Sequence, residues 1–187
     1  MAGVPPSGPG SSVAAAANVR VALEGLSREF DLELIIDAPC GDMTWMPRVD
    51  LGRAAYVGAD IVPAVVAANR AAHADRSFLP LDIADASSSA ILRDIVSDRG
   101  NAALVLARHL LFHLPASDGR AVLQNVEASG ARWLLTSTFV RADDAMDEYV
   151  LANGHRTNLL RPPYVRRAGS SDASRRRRGG DVDIPWE

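Results

Sequence analysis

The chain has 187 residues and a formal net charge of −3, a length that suits one folded domain with a substantial core. Hydrophobic residues make up 48% of it and charged residues 23%, values typical of soluble globular proteins. All of its basic residues are arginines, and the six in residues 165–187, set against four acids, leave −5 on the rest of the chain. That charge argues against a nucleic-acid binder, because such proteins need a basic surface.

Cys40 is the only cysteine, which excludes an internal disulfide and fits a reducing compartment. No apolar run approaches the roughly 20 residues that span a bilayer. Residues 1–17 are rich in Pro, Gly, Ser and Ala, but they lack the charged start and long apolar segment of a secretory signal. We therefore expect a cytoplasmic protein without a membrane segment, in which residues 1–17 form a flexible leader.

Helix-like and strand-like segments alternate through most of the chain. In order, the pattern predicts helices over residues 18–30 (or from residue 12), 63–74, 87–96 and 117–130. It predicts strands over residues 33–37, 54–60, 77–82, 102–107 and 132–139. Ser117 is the expected N-cap of the last helix and Gly130 the residue that ends it. This alternation indicates an α/β fold, a doubly wound and mostly parallel sheet with helices on both faces.

The pattern weakens after residue 140. It predicts a short helix over residues 145–151, and it predicts that residues 158–165 pair with residues 182–186 as a shortened C-terminal antiparallel element. The segment between them, residues 166–180, has the Arg, Ser and Gly content of an exposed loop. We therefore expect a leader over residues 1–17, one domain over residues 18–165, and an Arg-rich loop and tail over residues 166–187.

Aspartates end three successive predicted strands: Asp37, Asp60 and Asp82. The carboxyl ends of parallel strands lie at one edge of a sheet, where ligands of such folds bind. A carboxylate at the end of the second strand suits the two hydroxyls of a ribose, since it accepts two hydrogen bonds at once. Any one of these acids is more often a solvated strand end or a helix cap. The three together predict a nucleoside site.

Four sequence patterns lie at the ends of the first four predicted strands: D-x-x-C-G-D from Asp37, Y-V-G-A-D-I-V from Tyr56, L-D-I from Leu81, and R-H-x-L-x-H-L from Arg108. Together they resemble class I S-adenosylmethionine-dependent methyltransferases. The likeness is greatest to small members with an APCGD-type first motif and a late G-x-R-x-N-L-x-x-P-P segment, here residues 154–163. It covers residues 34–164 and implies a Rossmann-like methyltransferase fold.

For the first strand, the resemblance implies a contact with the methionine half of S-adenosylmethionine. The residues that match this part of the motif are Asp37, Ala38, Pro39, Cys40 and Gly41. Of the family's usual glycine-rich turn only Gly41 remains, and Pro39 stands where the first glycine is usual. A rigid turn therefore replaces the flexible one.

For the other strands, the resemblance implies contacts with the nucleoside and the reacting centre. Asp60 would hold the ribose and Ile61 would pack on the adenine. Asp82 would accept from the adenine amino group, while Ile83 covers the ring. Arg108 and His109 would border the sulfonium and the mouth of the substrate site, and at the position of His109 the related small group commonly has an acid.

His109 and His113 are four residues apart, a spacing that puts two side chains on one face of a helix. No third ligand accompanies them, so no metal is predicted. Both histidines are candidates for an active-site base, because an imidazole near neutral pKa can take a proton during methyl transfer. A structural role among the apolar residues around them is the alternative.

The predicted function is transfer of a methyl group from S-adenosylmethionine to a small-molecule acceptor that the sequence does not identify. A catalytically degenerate, cofactor-binding relative is the first alternative. An NAD(P)-dependent oxidoreductase is the second, disfavoured because the turn after the first strand has no G-x-G-x-x-G pattern. The sequence gives no basis for an oligomeric state.

Overall fold

A computed structural model describes residues 6–138 and residue 159 of the chain. Its helices and strands alternate, as the sequence predicts. The α-helices are α1 (Ala17–Glu29), α2 (Pro63–Ala72), α3 (Ser88–Val96) and α4 (Ala116–Ser129). The strands are β1 (Leu34–Asp37), β2 (Ala55–Asp60), β3 (Ser77–Pro80), β4 (Ala103–Ala107) and β5 (Trp133–Thr136).

The five strands form one sheet in the order β3-β2-β1-β4-β5, and every pair is parallel. The strand order reverses at β1, which pairs with β2 on one side and with β4 on the other. All residues of β1 and β4 are buried, as expected for central parallel strands covered on both faces. This order is that of a Rossmann-like sheet, whose ligands bind beyond the carboxyl ends of the strands near such a reversal.

Side chains that alternate along β1 and β4 divide the core into two layers. Ile35 and Leu104 pack with Val19 and Leu23 of α1 and with Val66 of α2. On the opposite face, Leu34, Ile36 and Val105 pack with Leu92 of α3 and Val122 of α4. The prediction of a parallel sheet with helices on both faces is therefore confirmed.

The connection from β1 to β2, residues 38–54, contains a 3-10 turn, Met46–Arg48, and no α-helix. Its apolar side chains are buried in the layer that faces α1: Met43, Trp45, Met46, Val49 and Leu51. A packed loop thus takes the place that a crossover helix has in most β-α-β units.

Several details differ from the predictions. β3 ends at Pro80, so Asp82 lies two residues beyond the strand. β5 ends at Thr136, three residues earlier than predicted. The prediction that Ser117 caps α4 is wrong: the helix begins at Ala116 after Pro115, and the Ser117 hydroxyl donates to Asp118 Oδ1 instead. Gly130 does end α4, in the left-handed conformation with φ of 82° that glycine adopts at little cost.

The predicted C-terminal features lie outside the described residues. These are the short helix over residues 145–151, the antiparallel element formed by residues 158–165 and 182–186, and the loop over residues 166–180. Within residues 6–138, none of the helices combines the length and apolar character needed to cross a membrane.

Candidate ligand site at the carboxyl edge of the sheet

Asp37, the last residue of β1, is only 2% exposed. The Tyr56 hydroxyl donates to its Oδ2 at 2.8 Å and also lies 3.2 Å from Met43 Sδ. Burial raises the pKa of the Asp37 carboxyl to about 7, and Asp60 adds to that rise, whereas the Tyr56 hydrogen bond and the charge of Arg108 oppose it. Asp37 is thus a carboxyl that gains and loses its proton near neutral pH.

The turn after β1 is held from two sides. Gly41 has a φ of +57°, a conformation that glycine tolerates. Its N–H donates to Asp60 Oδ2 at 3.0 Å, and its carbonyl accepts from Asn69 Nδ2 of α2 at 2.7 Å. Cys40 is buried, and burial, with the nearby charges of Asp37 and Asp60, raises the pKa of its thiol to about 12. The thiol is therefore protonated at neutral pH and unsuited to act as a nucleophile.

Asp60 ends β2 and joins the turn to the start of the next connection. It is 7% exposed, and its Oδ1 accepts from the Val62 N–H at 2.9 Å. The next side chain, Ile61, is 61% exposed. An acceptor carboxylate and an open apolar side chain therefore stand together at the end of β2.

Asp82 and Ile83, which follow β3, differ in their exposure to solvent. Asp82 is exposed, and its Oδ1 accepts from the Ala84 N–H at 2.9 Å. Ile83 is 6% exposed and packs in the core layer of α3 and α4. The Asp82 carboxylate is thus open to solvent at this edge, whereas Ile83 faces the interior.

Arg108 and His109 follow β4. Arg108 Nη2 donates to the Gly10 carbonyl at 2.9 Å and to the Ala15 carbonyl at 3.3 Å, and the guanidinium carbon lies 5.6 Å from the centre of the Trp45 ring. Burial lowers the pKa of Arg108, an effect that Asp37 opposes. Among residues 6–138, no carboxylate lies within 4.0 Å of this guanidinium.

His109 has a φ of 53°, and its N–H donates to Ser137 Oγ at 3.2 Å. Burial, with smaller contributions from Arg108 and His113, lowers the pKa of His109 to about 4. The imidazole is therefore neutral at pH 7 but a weak base. His113 is exposed in the 3-10 turn Leu111–His113, and in the described part of the chain no third side chain joins the two histidines as a metal site.

The segment formed by residues 6–16, which composition assigns to a flexible leader, lies across this edge of the sheet. The Ser7 N–H donates to Asp42 Oδ2 and the Asp42 N–H donates to Ser7 Oγ, both at 2.9 Å. A Cβ atom at Gly41 would lie 2.7 Å from Ser7 Oγ, so the serine sits directly over the glycine. Ala16 is fully buried in the core. The leader prediction does not account for these contacts, because they depend on partners far away in the sequence.

Of the predicted site residues, Gly41 and Asp60 are joined by a hydrogen bond, and Arg108 interacts electrostatically with Asp37. Arg108 thereby links the β1–β2 side of this edge with the β4–β5 side. Sequence reasoning missed Tyr56, Asn69 and Ser7. Asn69 carried a usable signal, since it lies three residues after Val66 on the buried face of α2, and a polar residue on an apolar helix face usually has a specific partner. Tyr56 and Ser7 carried none.

The chain matches no protein-family model and no curated protein. Among solved structures, it is similar to an S-adenosylmethionine-dependent methyltransferase of Anabaena variabilis, with 21% identity, a TM-score of 0.47, and coverage of 59% of this chain and 45% of that one. It is also similar to magnesium protoporphyrin IX methyltransferase of Synechocystis with bound SAH, with 16% identity, a TM-score of 0.46, and coverage of 68% and 58%. The chain spans about half the length of these proteins.

Proposed function

We propose that this protein is an S-adenosylmethionine-dependent methyltransferase that acts on a small-molecule acceptor. The observation that carries the proposal is the arrangement at the end of β2. There the Asp60 carboxylate meets the Gly41 N–H of the turn after β1, beside the exposed Ile61. A ribose needs such an acceptor, and an adenine ring needs such an apolar surface.

The nucleoside half of the cofactor fits the residues present. Each Asp60 oxygen accepts one backbone N–H, and since an ionised carboxylate has about four acceptor positions, it can also accept from ribose hydroxyls. Ile61 would contact the adenine ring and the exposed Asp82 would accept from the adenine amino group. Ile83 would support this surface from the core.

The reacting half of the cofactor would be bordered by Asp37, which ends β1, and by Arg108, which follows β4. S-adenosylmethionine, when bound, supplies an electrophilic methyl group on a sulfonium. Ionised Asp37 would favour that positive charge, whereas Arg108 would disfavour it and suits an anionic group instead. With a pKa of about 4, His109 is a weak base. We therefore expect this protein to act by holding the reacting groups in place rather than by strong base catalysis.

The NAD(P)-dependent oxidoreductase is disfavoured by the β1–β2 connection. In dinucleotide-binding folds the pyrophosphate sits at the N-terminus of the helix that follows the first strand. Residues 38–54 form no α-helix here, so that anion site is missing from this connection. S-adenosylmethionine carries no phosphate and does not require it.

A titration calorimetry experiment tests the proposal. We expect S-adenosylhomocysteine, the demethylated product, to bind with micromolar affinity and NADH not to bind. Binding of NADH alone would overturn the proposal. If S-adenosylhomocysteine binds but a broad acceptor panel yields no methylated product, the degenerate, cofactor-binding alternative is favoured.

A further inference from the structure

A cavity of about 180 Å³ lies beyond the carboxyl ends of β4 and β5, against the start of α1. It is on the other side of Arg108 from the Asp60 edge. Apolar side chains from three elements contribute to its lining: Val19, Leu106 and Leu135. The remaining lining residues, most of them polar, are Ala15, Asn18, Arg108, His109, Thr136 and Ser137.

The charge in the lining of this cavity comes from Arg108, on which Asp37 acts electrostatically from outside the lining. No acid is among the lining residues that the structure describes, and His109, with a pKa of about 4, is neutral at pH 7. Arg108 is half-buried, and its hydrogen-bond acceptors are the backbone carbonyls of Gly10 and Ala15. In the part of the chain that the structure describes, no carboxylate comes within ion-pair distance of it. A half-buried cation without an anionic partner is stabilised when a ligand supplies one.

We infer that this cavity binds the methyl acceptor, an inference that rests on the proposed function. The acceptor is a small molecule with one anionic group on an apolar body. Arg108 pairs with the anionic group. Val19 and Leu135, which are 4% and 8% exposed, contact the apolar body, and the fully buried Leu106 supports them from the core. The acceptor thereby lies on the β4–β5 side of the strand reversal and the nucleoside on the β1–β2 side, with Arg108 between them.

The size and the polar groups of the cavity agree with such a ligand. Cavities of roughly 150 Å³ admit a benzene ring, so a substituted ring fits. Ser137 Oγ accepts from the His109 N–H, which leaves its own hydrogen to donate to a ligand atom. Thr136 Oγ1 donates to the Ala107 carbonyl at 2.8 Å and can still accept.

Three aromatic probes of similar size and different charge test this assignment on the full chain: benzoate, benzamide and benzylamine. In titration calorimetry at pH 7, we expect benzoate to bind, benzamide to bind about tenfold more weakly, and benzylamine not to bind. Benzoate and benzamide differ by one charge-assisted hydrogen-bonded pair with Arg108. The loss of such a pair typically weakens binding about tenfold or more. Equal binding of benzoate and benzamide, or no binding of benzoate, would overturn the inference.

Two variants locate the effect. Arg108→Gln removes the cation and should weaken benzoate about tenfold, whereas Arg120→Gln, the same change at an exposed arginine of α4 outside the cavity lining, should leave it unchanged. Asn18→Asp places an anion at the exposed rim, near the N-terminus of α1, where a carboxylate favours the helix. It should fold normally and weaken benzoate several-fold.

S-adenosylhomocysteine, titrated separately into each variant, distinguishes this inference from the proposed function. We expect Asn18→Asp, at the cavity rim and away from the Asp60 edge, to change the affinity for S-adenosylhomocysteine less than threefold. In Arg108→Gln, the ligand whose affinity falls shows which site the arginine serves. A loss of S-adenosylhomocysteine binding with unchanged benzoate binding would place Arg108 at the cofactor and overturn the inference. If the wild-type protein binds S-adenosylhomocysteine but not benzoate, the proposed function stands and the inference fails; the opposite result leaves an anion site without the proposed function.

Discussion

Asp60 can act in two ways, as a ligand-binding residue and as a structural residue, and the two roles have different requirements. As a ligand residue it needs acceptor positions that face the edge of the sheet. As a structural residue it already accepts the Gly41 and Val62 N–H groups. The second role holds in the free protein, so a change at Asp60 affects the turn before any ligand binds.

We predict that Asp60→Ala lowers the free energy of unfolding of the ligand-free protein by about 1–3 kcal/mol, because two backbone donors lose a charged acceptor. Asp82→Ala is the matched control: Asp82 is exposed and accepts one local N–H, so its loss should cost less than about 0.5 kcal/mol. Urea unfolding measures both. Equal, small effects would mean that the turn does not depend on Asp60.

Asp37 gives the protein a pH-dependent stability with a definite sign. Its pKa is about 7 in the folded protein against an ordinary value of 3.8. Between about pH 4 and pH 7 the folded state therefore holds a proton that the unfolded state has lost, so this carboxyl destabilises the fold progressively as the pH rises. His109, whose pKa is lowered to about 4, acts in the opposite direction over a similar range, so the Asp37 contribution must be isolated by comparison.

We predict that Asp37→Asn removes this contribution, because the amide cannot ionise but can still accept from Tyr56. The free energy of unfolding should fall more from pH 5 to pH 8 in the wild type than in the variant, and the difference is the effect of Asp37. Asp94→Asn, at an exposed position of α3, controls for the loss of a carboxylate. Parallel pH profiles for wild type and Asp37→Asn would show that Asp37 is ionised throughout.

The predictions of helices and strands succeed where they depend on a local sequence pattern. The five strands and the helices α1 to α4 follow from runs of apolar residues and their spacing, which burial on the two faces of the sheet enforces. Errors occur at the ends of elements. Asp82 lies beyond β3 because pairing stops at Pro80, and α4 begins before Ser117 because Pro115 fixes the backbone at the entry of the helix.

The candidate site was predictable only in part, for a related reason. Asp37 and Asp60 could be placed at one edge because parallel strands align their carboxyl ends. The partners Tyr56 and Asn69 could not, since a hydrogen bond between distant residues depends on register and on helix position rather than on local sequence. The same limit applies to the cavity between α1, β4 and β5, whose residues come from three separate stretches of the chain.

Residues 6–16 connect the two halves of the sheet through hydrogen bonds. Ser7 contacts the turn after β1 through Asp42, and the carbonyls of Gly10 and Ala15 contact Arg108 after β4. Although burial opposes it, hydrogen bonds from Thr44 and Ser7 lower the pKa of Asp42, so the carboxylate is ionised at neutral pH. The segment is thus fastened on both sides of the strand reversal, across the edge where ligands would bind.

We predict that Asp42→Ala loosens this segment, since the Ser7 N–H loses its acceptor. Amide hydrogen exchange of residues 6–16, followed by mass spectrometry at pH 7, should become about fivefold faster, as expected for the loss of about 1 kcal/mol. Asp50→Ala is the control: Asp50 Oδ1 accepts from the Gly52 N–H as Asp42 Oδ1 accepts from Thr44, but Asp50 makes no hydrogen bond to residues 6–16. If both variants exchange alike, Asp42 does not hold the segment, and Arg108 is left as its anchor at this edge.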